Sequence, residues 1–386
     1  MRIAILTNRF PPMLDGVGDY SSHLANELQH NGHKVSVICR REAPIQQAVR
    51  DGQFNVPVAA TIPTWSWRAI NPLRQFINEH QPDWILVQYV PNSFQQWAMP
   101  VWLPVLIWFI KRQGVCVSIT FHEVSTRFKT WPLRYGIVSL IQRLLAWLLV
   151  RLANAVVTSI DYYARQLQAY TNKPIHLIPI GSNIIPVAIM KNELTITRQQ
   201  LMTNSGPIIS TFGIRNQDIL LQVFEQVVQQ LEHVNLIIVG NLNLSASTYK
   251  IYQQLQHRIH VTGYLPREDV FRCLSASDVF FIPDPVTSKG EGGSSNKSGS
   301  LAAALAAGLP IIGTKGDMNN DLLREMPGVF LEDTDNLDLI KSCLLTLLSK
   351  DNTAIRQSNM HFFDQTFSWP AIVSRYSCIL KPIQTK

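Results

Sequence analysis

Short apolar runs rich in Val, Ile and Phe alternate along the chain with longer stretches in which apolar residues recur every three or four positions. The first kind reads as buried strands and the second as amphipathic helices. Their alternation predicts parallel sheets covered by helices on both faces. Strands are expected at 2–8, 34–40, 84–90, 114–121, 155–160 and 175–180, then at 207–213, 235–240, 260–264, 279–285, 309–314 and 328–333. Over residues 181–205 the periodicity gives way to a polar stretch containing a proline, which marks a boundary between two α/β halves, each a doubly wound sheet. No repeat of short period appears. Open α/β sheets bind ligands beyond the carboxyl ends of their strands, so function is expected on the loops after strands, with a deep cleft where two such domains face each other.

A chain of 386 residues is long enough for two domains with a core each. Its 46% hydrophobic and 16% charged content excludes a disordered chain. The net charge of +7 directs attention to anions: nucleotide phosphates, acidic lipid headgroups or nucleic acid. A nucleic-acid binder needs a basic stripe with stacking aromatics on one face, whereas the basic residues here follow amphipathic helices. The five cysteines, Cys39, Cys116, Cys273, Cys343 and Cys378, are scattered without metal-ligand spacing, as expected of reduced thiols. The opening MRIAILTNRF enters a strand with no charged and apolar leader, and the expected location is the cytoplasm.

Three loops carry candidate chemistry. After the first strand, a Pro-Pro turn leads to Gly16 and Gly18 at the start of a helix, where glycines admit close backbone approach and helical N–H groups face an anion. The third glycine of the dinucleotide fingerprint is absent. In GEGGSSNKSGSLAAALAAGLPIIGT (290–314), Ser295, Asn296, Lys297, Ser298, Gly299, Ser300 and Leu301 run into an alanine-rich helix. Helix amides, the helix dipole, serine hydroxyls and the Lys297 ammonium suit a nucleotide diphosphate, while the same residues also fit a flexible linker before an N-capped helix. His122 and Glu123 end the strand CVSITF at the carboxyl edge, as a capping pair or as groups at a reacting centre.

Taken in order, PPMLDGVGDYSSHLANELQHNGHKVSVI (11–38), TFHEV (120–124), HLIPIGSN (176–183), HVTGYLPREDVFRCLSASDVFFIP (260–283), AALAAGLPIIGT (303–314) and FSWPAIVSRY (367–376) span nearly the whole chain. They resemble the corresponding segments of the family 4 retaining glycosyltransferases, group 1 enzymes of the GT-B fold. The resemblance implies two Rossmann-like doubly wound domains facing a central cleft: residues 1–185 for the acceptor, 200–365 for the nucleotide-sugar donor, and a terminal helix at about 366–386 crossing back onto the first. It implies donor phosphates and acceptor beside Gly16 and Gly18, the donor base near Tyr264, a diphosphate on 295–301, and His122 near the transferred sugar, with Glu123 as a candidate proton acceptor.

Two departures from the family pattern stand out. Relatives place two glutamates eight positions apart in the donor loop, the second five residues before the glycine of the G-x-P step; counting back from Gly308 gives Ala303 and Ser295, and Glu291 is out of register. In TFGIRNQDILLQVFEQ (211–226), where relatives carry a Gly-Arg pair and then a lysine, Gly213 stands, Arg215 is the nearest cation and the lysine is missing. Arg215 and Lys297 are therefore assigned the charge on the leaving diphosphate. The expected activity is retaining transfer of a hexose or similar sugar from a UDP- or GDP-sugar to a carbohydrate or lipid-linked acceptor, in envelope or exopolysaccharide synthesis. No cofactor or metal is required in that scheme; Asp333-Thr334-Asp335 reads as turn and capping chemistry. The alternatives are a catalytically degenerate sugar-nucleotide binder and a same-fold epimerase or phosphorylase.

The apolar stretch WAMPVWLPVLIWFI (97–110) has 14 residues and two prolines, too short to span a bilayer. Residues 125–155 set Arg127, Lys129, Arg134, Arg143 and Arg151 among tryptophans and leucines. Two readings stand for them: a peripheral contact with an anionic membrane surface, or helices that cover the first sheet with arginines outward.

Overall fold

A computed structural model describes residues 1–128, 133–202, 204–213, 215–334 and 336–381, without the Lys191 side chain. Lys129, Asp335 and the end of the expected terminal helix lie outside the described residues. The chain divides into two compact units, Met1–Pro179 with Trp369–Lys386, and Ile180–Ser368.

The first unit is built on β1 (Arg2–Leu6), β2 (Lys34–Arg40), β3 (Val58–Ile62), β4 (Trp84–Tyr89), β5 (Cys116–Phe121), β6 (Ala155–Thr158) and β7 (Ile175–Leu177). All pair in parallel, in the order β3-β2-β1-β4-β5-β6-β7. The second unit holds β8 (Ile208–Phe212), β9 (Asn235–Val239), β10 (Ile259–Val261), β11 (Val279–Ile282), β12 (Ile311–Thr314) and β13 (Val329–Glu332), in the order β10-β9-β8-β11-β12-β13 and again parallel. Each sheet therefore reverses its strand order once, between β1 and β4 and between β8 and β11. There the loops at the carboxyl edge part and leave room for a ligand.

Strand β3 escapes the sequence pattern. It is five residues long, lies at the sheet edge and is bracketed by Pro57 and Pro63, which read as loop punctuation. The central strands, such as β1, β4, β9 and β11, are apolar on both faces, as burial under helices requires. In β11, Phe280 and Ile282 point into one core layer with Ile311 and Leu305, while Val279 and Phe281 point into the other with Phe224 and Leu344.

The helices used below are α1 (Gly16–His30), α2 (Leu103–Arg112), α3 (Leu133–Leu152), α4 (Gln217–Val228), α5 (Gly299–Ala306) and α6 (Trp369–Ile379). By length and composition α3 is apolar enough to cross a membrane. One face of it, including Gln142, Leu145 and Leu149, is nevertheless buried in the first unit. Its outward face is apolar as well: Leu133, Ile137, Leu140 and Leu144 are each at least half exposed. The helix thus packs one face into the first unit and shows an apolar face to the outside.

Helix α6 returns to the first unit and packs on α1. Its Tyr376 hydroxyl lies 3.2 Å from that of Tyr20 and 2.8 Å from Thr120 Oγ1, with all three residues buried. Burial drives both phenols above their ordinary pKa, so they stay neutral and the network carries no charge. Tyr376→Phe strands two buried hydroxyls and is expected to lower unfolding free energy by about 1–3 kcal/mol in urea titrations. An unchanged midpoint would show that this contact does not secure the returning helix.

Candidate active site

At the switch point of the second sheet the chain leaves β8 through Gly213, whose φ of +87° suits a residue without a side chain. Two residues on, Arg215 turns back, and its Nε donates to Phe212 O at 3.3 Å. Strand β11 ends on the other side of the reversal, and Asp284 follows two residues later. Arg215 Nη1 meets Asp284 Oδ1 at 2.6 Å, so one ion pair joins the loops that part at the switch point. The second guanidinium nitrogen, Nη2, donates to Ser298 Oγ at 2.6 Å and also to Ser300 Oγ. Arg215 thus ties both strand ends to the first turn of α5.

The side chains of this pair are only 12% and 17% exposed. Burial pushes the Asp284 carboxyl above the usual carboxylate range, against the pull of Arg215, of Lys297 and of the Ser294 hydroxyl. Lys297 therefore stands within the electrostatic reach of the same carboxylate. Asp284 was not visible as a site residue in the sequence; its one signal is an acidic residue just past an apolar strand end.

Helix α5 is buried on every side, from Ser300 at 9% exposure to Leu301 through Leu305 at 0%. An Ala-Leu helix with no polar face is what complete burial asks of it. Ser298 caps it, its Oγ accepting from Leu301 N at 3.3 Å. By helix geometry the N–H groups of the first turn find no carbonyl within the helix, and they lie at the positive end of its dipole.

Upstream, the loop is knitted to its surroundings rather than a flexible linker. Gly293 N donates to Pro285 O and Ser294 N to Thr314 O, while Asn319 Nδ2 donates to Ser294 O at 2.6 Å. A Cβ on Gly292 would sit 2.3 Å from Pro285 O. Gly292 and Gly293 thus serve close packing of backbone on backbone. Ser295 and Asn296 are buried, whereas Lys297, Ser298 and Gly299 are half-buried. Ala303 is fully buried and Ser295 is 5% exposed, so a glutamate at either position would bury a carboxylate. Tyr264, on the loop after β10, is 77% exposed.

In the first unit, His122 follows β5 and its Nε2 lies 2.9 Å from Gln88 Oε1. In the neutral ring that contact places the proton on Nε2 and leaves Nδ1 as the acceptor. Tyr20 meets the imidazole edge-on at 5.1 Å between centroids. The sequence signal missed here was Gln88, an amide inside the fully buried strand WILVQY. Glu123 is exposed at the same edge. Gly16 has open space where a Cβ would stand, but a Cβ on Gly18 would lie 2.9 Å from Arg9 O. The close approach at Gly18 is thus made by the protein's own loop. Asp333 is exposed, 3.7 Å from Lys315 Nζ, and the helix after it is capped by Asn336.

Residues 14–184 match the family model described as Glycosyltransferase Family 4, and residues 207–350 match that of Glycosyl transferases group 1. The chain belongs to the group 1 glycosyltransferases of the GT-B fold. The same two-sheet architecture recurs in a glycosyltransferase from Rickettsia africae, with a TM-score of 0.68, 14% identity and 99% of both chains covered. It recurs too in Anabaena HepE in complex with UDP and glucose, with a TM-score of 0.67, 16% identity and 98% of both chains covered. In sequence, this glycosyltransferase is 24% identical over 200 residues to a GDP-mannose-dependent monoacylated alpha-(1-6)-phosphatidylinositol monomannoside mannosyltransferase of Corynebacterium glutamicum. That match spans 49% of this chain and 51% of the relative, so the chain spans about half the length of the curated relative it matches.

Asp284→Asn keeps the shape of the side chain and removes the charge that Arg215 answers. Chemical denaturation is expected to show a loss of about 2–4 kcal/mol, the usual cost of leaving one partner of a largely buried pair. Stability equal to that of the unaltered chain would mean the guanidinium is held by the two serines alone.

Proposed function

We propose that this glycosyltransferase moves a sugar from a nucleotide diphosphate to a carbohydrate or lipid-linked acceptor, with retention of anomeric configuration and without a metal ion. The observation that carries the reading is the start of α5, where helix amides, Ser298 and Ser300 held by Arg215, and Lys297 meet at the switch point of the second sheet. A diphosphate placed on Ser298–Leu301 accepts from amides at the positive end of the helix dipole, and Lys297 adds charge.

In the proposed step the acceptor oxygen bonds to the anomeric carbon on the face from which the diphosphate departs. The bond between that carbon and the phosphate oxygen breaks, and the acceptor proton passes to the departing oxygen. Charge then collects on the diphosphate, so preorganised positive groups are the main catalytic contribution. Arg215 acts by fixing the two serines rather than as a mobile cation. His122, oriented by Gln88, contacts the sugar, and Glu123 is the alternative destination of the acceptor proton, in place of the departing oxygen. Tyr264 lies beside the base, and Gly16 and Gly213 keep the loop backbones open to the ligand. The first unit takes the acceptor and the second the donor.

The relatives named above differ in base, UDP for one and GDP-mannose for another, so the donor panel includes both. A second reading, that of a sugar-nucleotide binder without turnover, draws on Ser295 and Ala303 standing buried where relatives carry glutamates. Purified protein incubated with UDP- and GDP-sugars is expected to release nucleotide. Lys297→Ala should weaken nucleoside-diphosphate binding about tenfold, near 1.4 kcal/mol. Binding without any release over hours selects the second reading, and equal stabilisation of both proteins by every nucleotide rules out the cradle.

We further propose that the enzyme works against an anionic membrane surface from the cytoplasmic side. The support is the outward face of α3 together with Trp97, Val101 and Trp108, all largely exposed, and arginines laid over aromatic rings: Arg112 on Trp108 at 5.0 Å and Arg151 on Trp147 at 4.4 Å. Leu140→Glu with Leu144→Glu alters exposed positions only. It should reduce co-sedimentation with vesicles containing anionic lipid at least fivefold while leaving the melting temperature within a degree or two. Undiminished sedimentation would remove the membrane from this account.

A further inference from the structure

The reversal between β1 and β4 opens a cavity of about 650 Å³ in the first unit, within the usual range for small-molecule sites. Its walls include Asn8 and Arg9 from the loop after β1, Arg40 at the end of β2, Trp65 after β3 and Trp97 after β4. Three of these residues carry a buried polar atom with neither a hydrogen-bond nor an ion-pair partner among the described residues: Asn8 Oδ1, Arg9 Nε and Trp65 Nε1. Buried polar atoms are almost always satisfied. Two unmet N–H donors and one unmet acceptor thus belong to residues that wall a single cavity.

The charges narrow that ligand further. Arg40 has Glu42 at 3.5 Å. Asp15, which also faces the cavity, caps α1 and accepts from Gly18 N at 2.7 Å, so its charge is answered by the helix. Arg9 has no acidic partner among the described residues and contributes the unbalanced positive charge. The loop that carries it is held in place because Gly18 lets the Arg9 carbonyl lie on the first turn of α1. A guanidinium fork matches carboxylate and phosphate oxygens.

Trp65 in the aromatic wall is fixed as well. Trp65 stacks on Trp102 at 6.0 Å and 8°. Trp97, 68% exposed, precedes Ala98, whose φ of +56° is uncommon for a residue with a side chain. The buried Gln142 on α3 holds that strained segment, its Nε2 donating to Ala98 O at 3.0 Å. A rigid indole beside polar donors suits the apolar face of a pyranose ring.

We propose that this cavity binds an anionic saccharide, a sugar ring bearing a phosphate or carboxylate, with Arg9 on the anion, Trp65 Nε1 on a ring oxygen and Trp97 against the ring. The inference deepens the acceptor role of the first unit proposed above and rests on it.

Calorimetric titration of the full chain with four probes tests it: a hexose 1-phosphate, the octyl phosphodiester of the same hexose, a hexuronate and the unsubstituted hexose. At least one anionic probe is expected to bind ten times tighter than the hexose. The preferred probe tells whether the anion is a soluble sugar phosphate, a lipid-like phosphodiester or a carboxylate. Arg9→Gln should bring that affinity to within twofold of the neutral sugar, and Arg9→Lys should keep part of the difference. Should Arg9→Gln fold poorly, Trp65→Phe, which removes one N–H, is expected to weaken the preferred probe three- to fivefold. Absence of binding by every anionic probe, equal binding of the hexose, or a preference that survives Arg9→Gln overturns the proposal. Nucleoside-diphosphate binding on the same samples separates the two readings: if it persists while the anionic preference is missing, only the cavity assignment fails.

Discussion

Each sheet is a set of parallel strands whose order reverses once, and the rest of the site chemistry depends on that constraint. Parallel pairing places every strand's carboxyl end on one edge, and reversal makes two neighbouring loops leave that edge in opposite directions. In the second unit the gap between them is bridged by the ion pair of Arg215 with Asp284. In the first unit it is left open as a cavity lined by Arg9 and Trp97. The same topology therefore yields a pinned helix terminus in one unit and a hollow in the other.

The pin has an energetic logic. A guanidinium and a carboxylate taken largely out of water cost several kcal/mol each to desolvate, and they return that only when their remaining hydrogen bonds are met. Arg215 meets this condition by adding Ser298 and Ser300 to Asp284, so the first turn of α5 is held by the protein's own side chains. Order in advance lowers the conformational cost of binding an anion there. The loop before the helix follows the same principle, since its glycines let backbone lie on backbone and its amides donate to carbonyls of neighbouring strands.

The first unit carries a different burden, because its outer helices are apolar on both sides. One face of α3 supports the sheet through Gln142 and Leu149, and the other offers leucines and arginines to whatever lies outside. Gln142 also fixes the segment that holds Trp97, and so links the supporting helix to the rim of the cavity. Changes on the buried face of α3 should therefore be felt at the cavity, while changes on its outer face should not.

The fold class, most strands and the resemblance to group 1 glycosyltransferases were legible in the residues themselves. Parallel strands buried on both faces must be apolar runs, and helices lying on them must be periodic. Strand β3 was lost because its flanking prolines and edge position erase that signal. The order of motifs likewise placed Arg215 and His122 just past strand ends and Lys297 just before a helix. Their partners were another matter: Asp284 lies 69 residues from Arg215, and Gln88 lies 34 from His122. Only the folding of the sheets brings such residues within hydrogen-bond distance, and only then do Gly18 and the loop glycines show what they make room for. Local chemistry along a chain sets which elements form; which charges are answered, and which are left facing a cavity, depends on contacts between residues far apart in sequence.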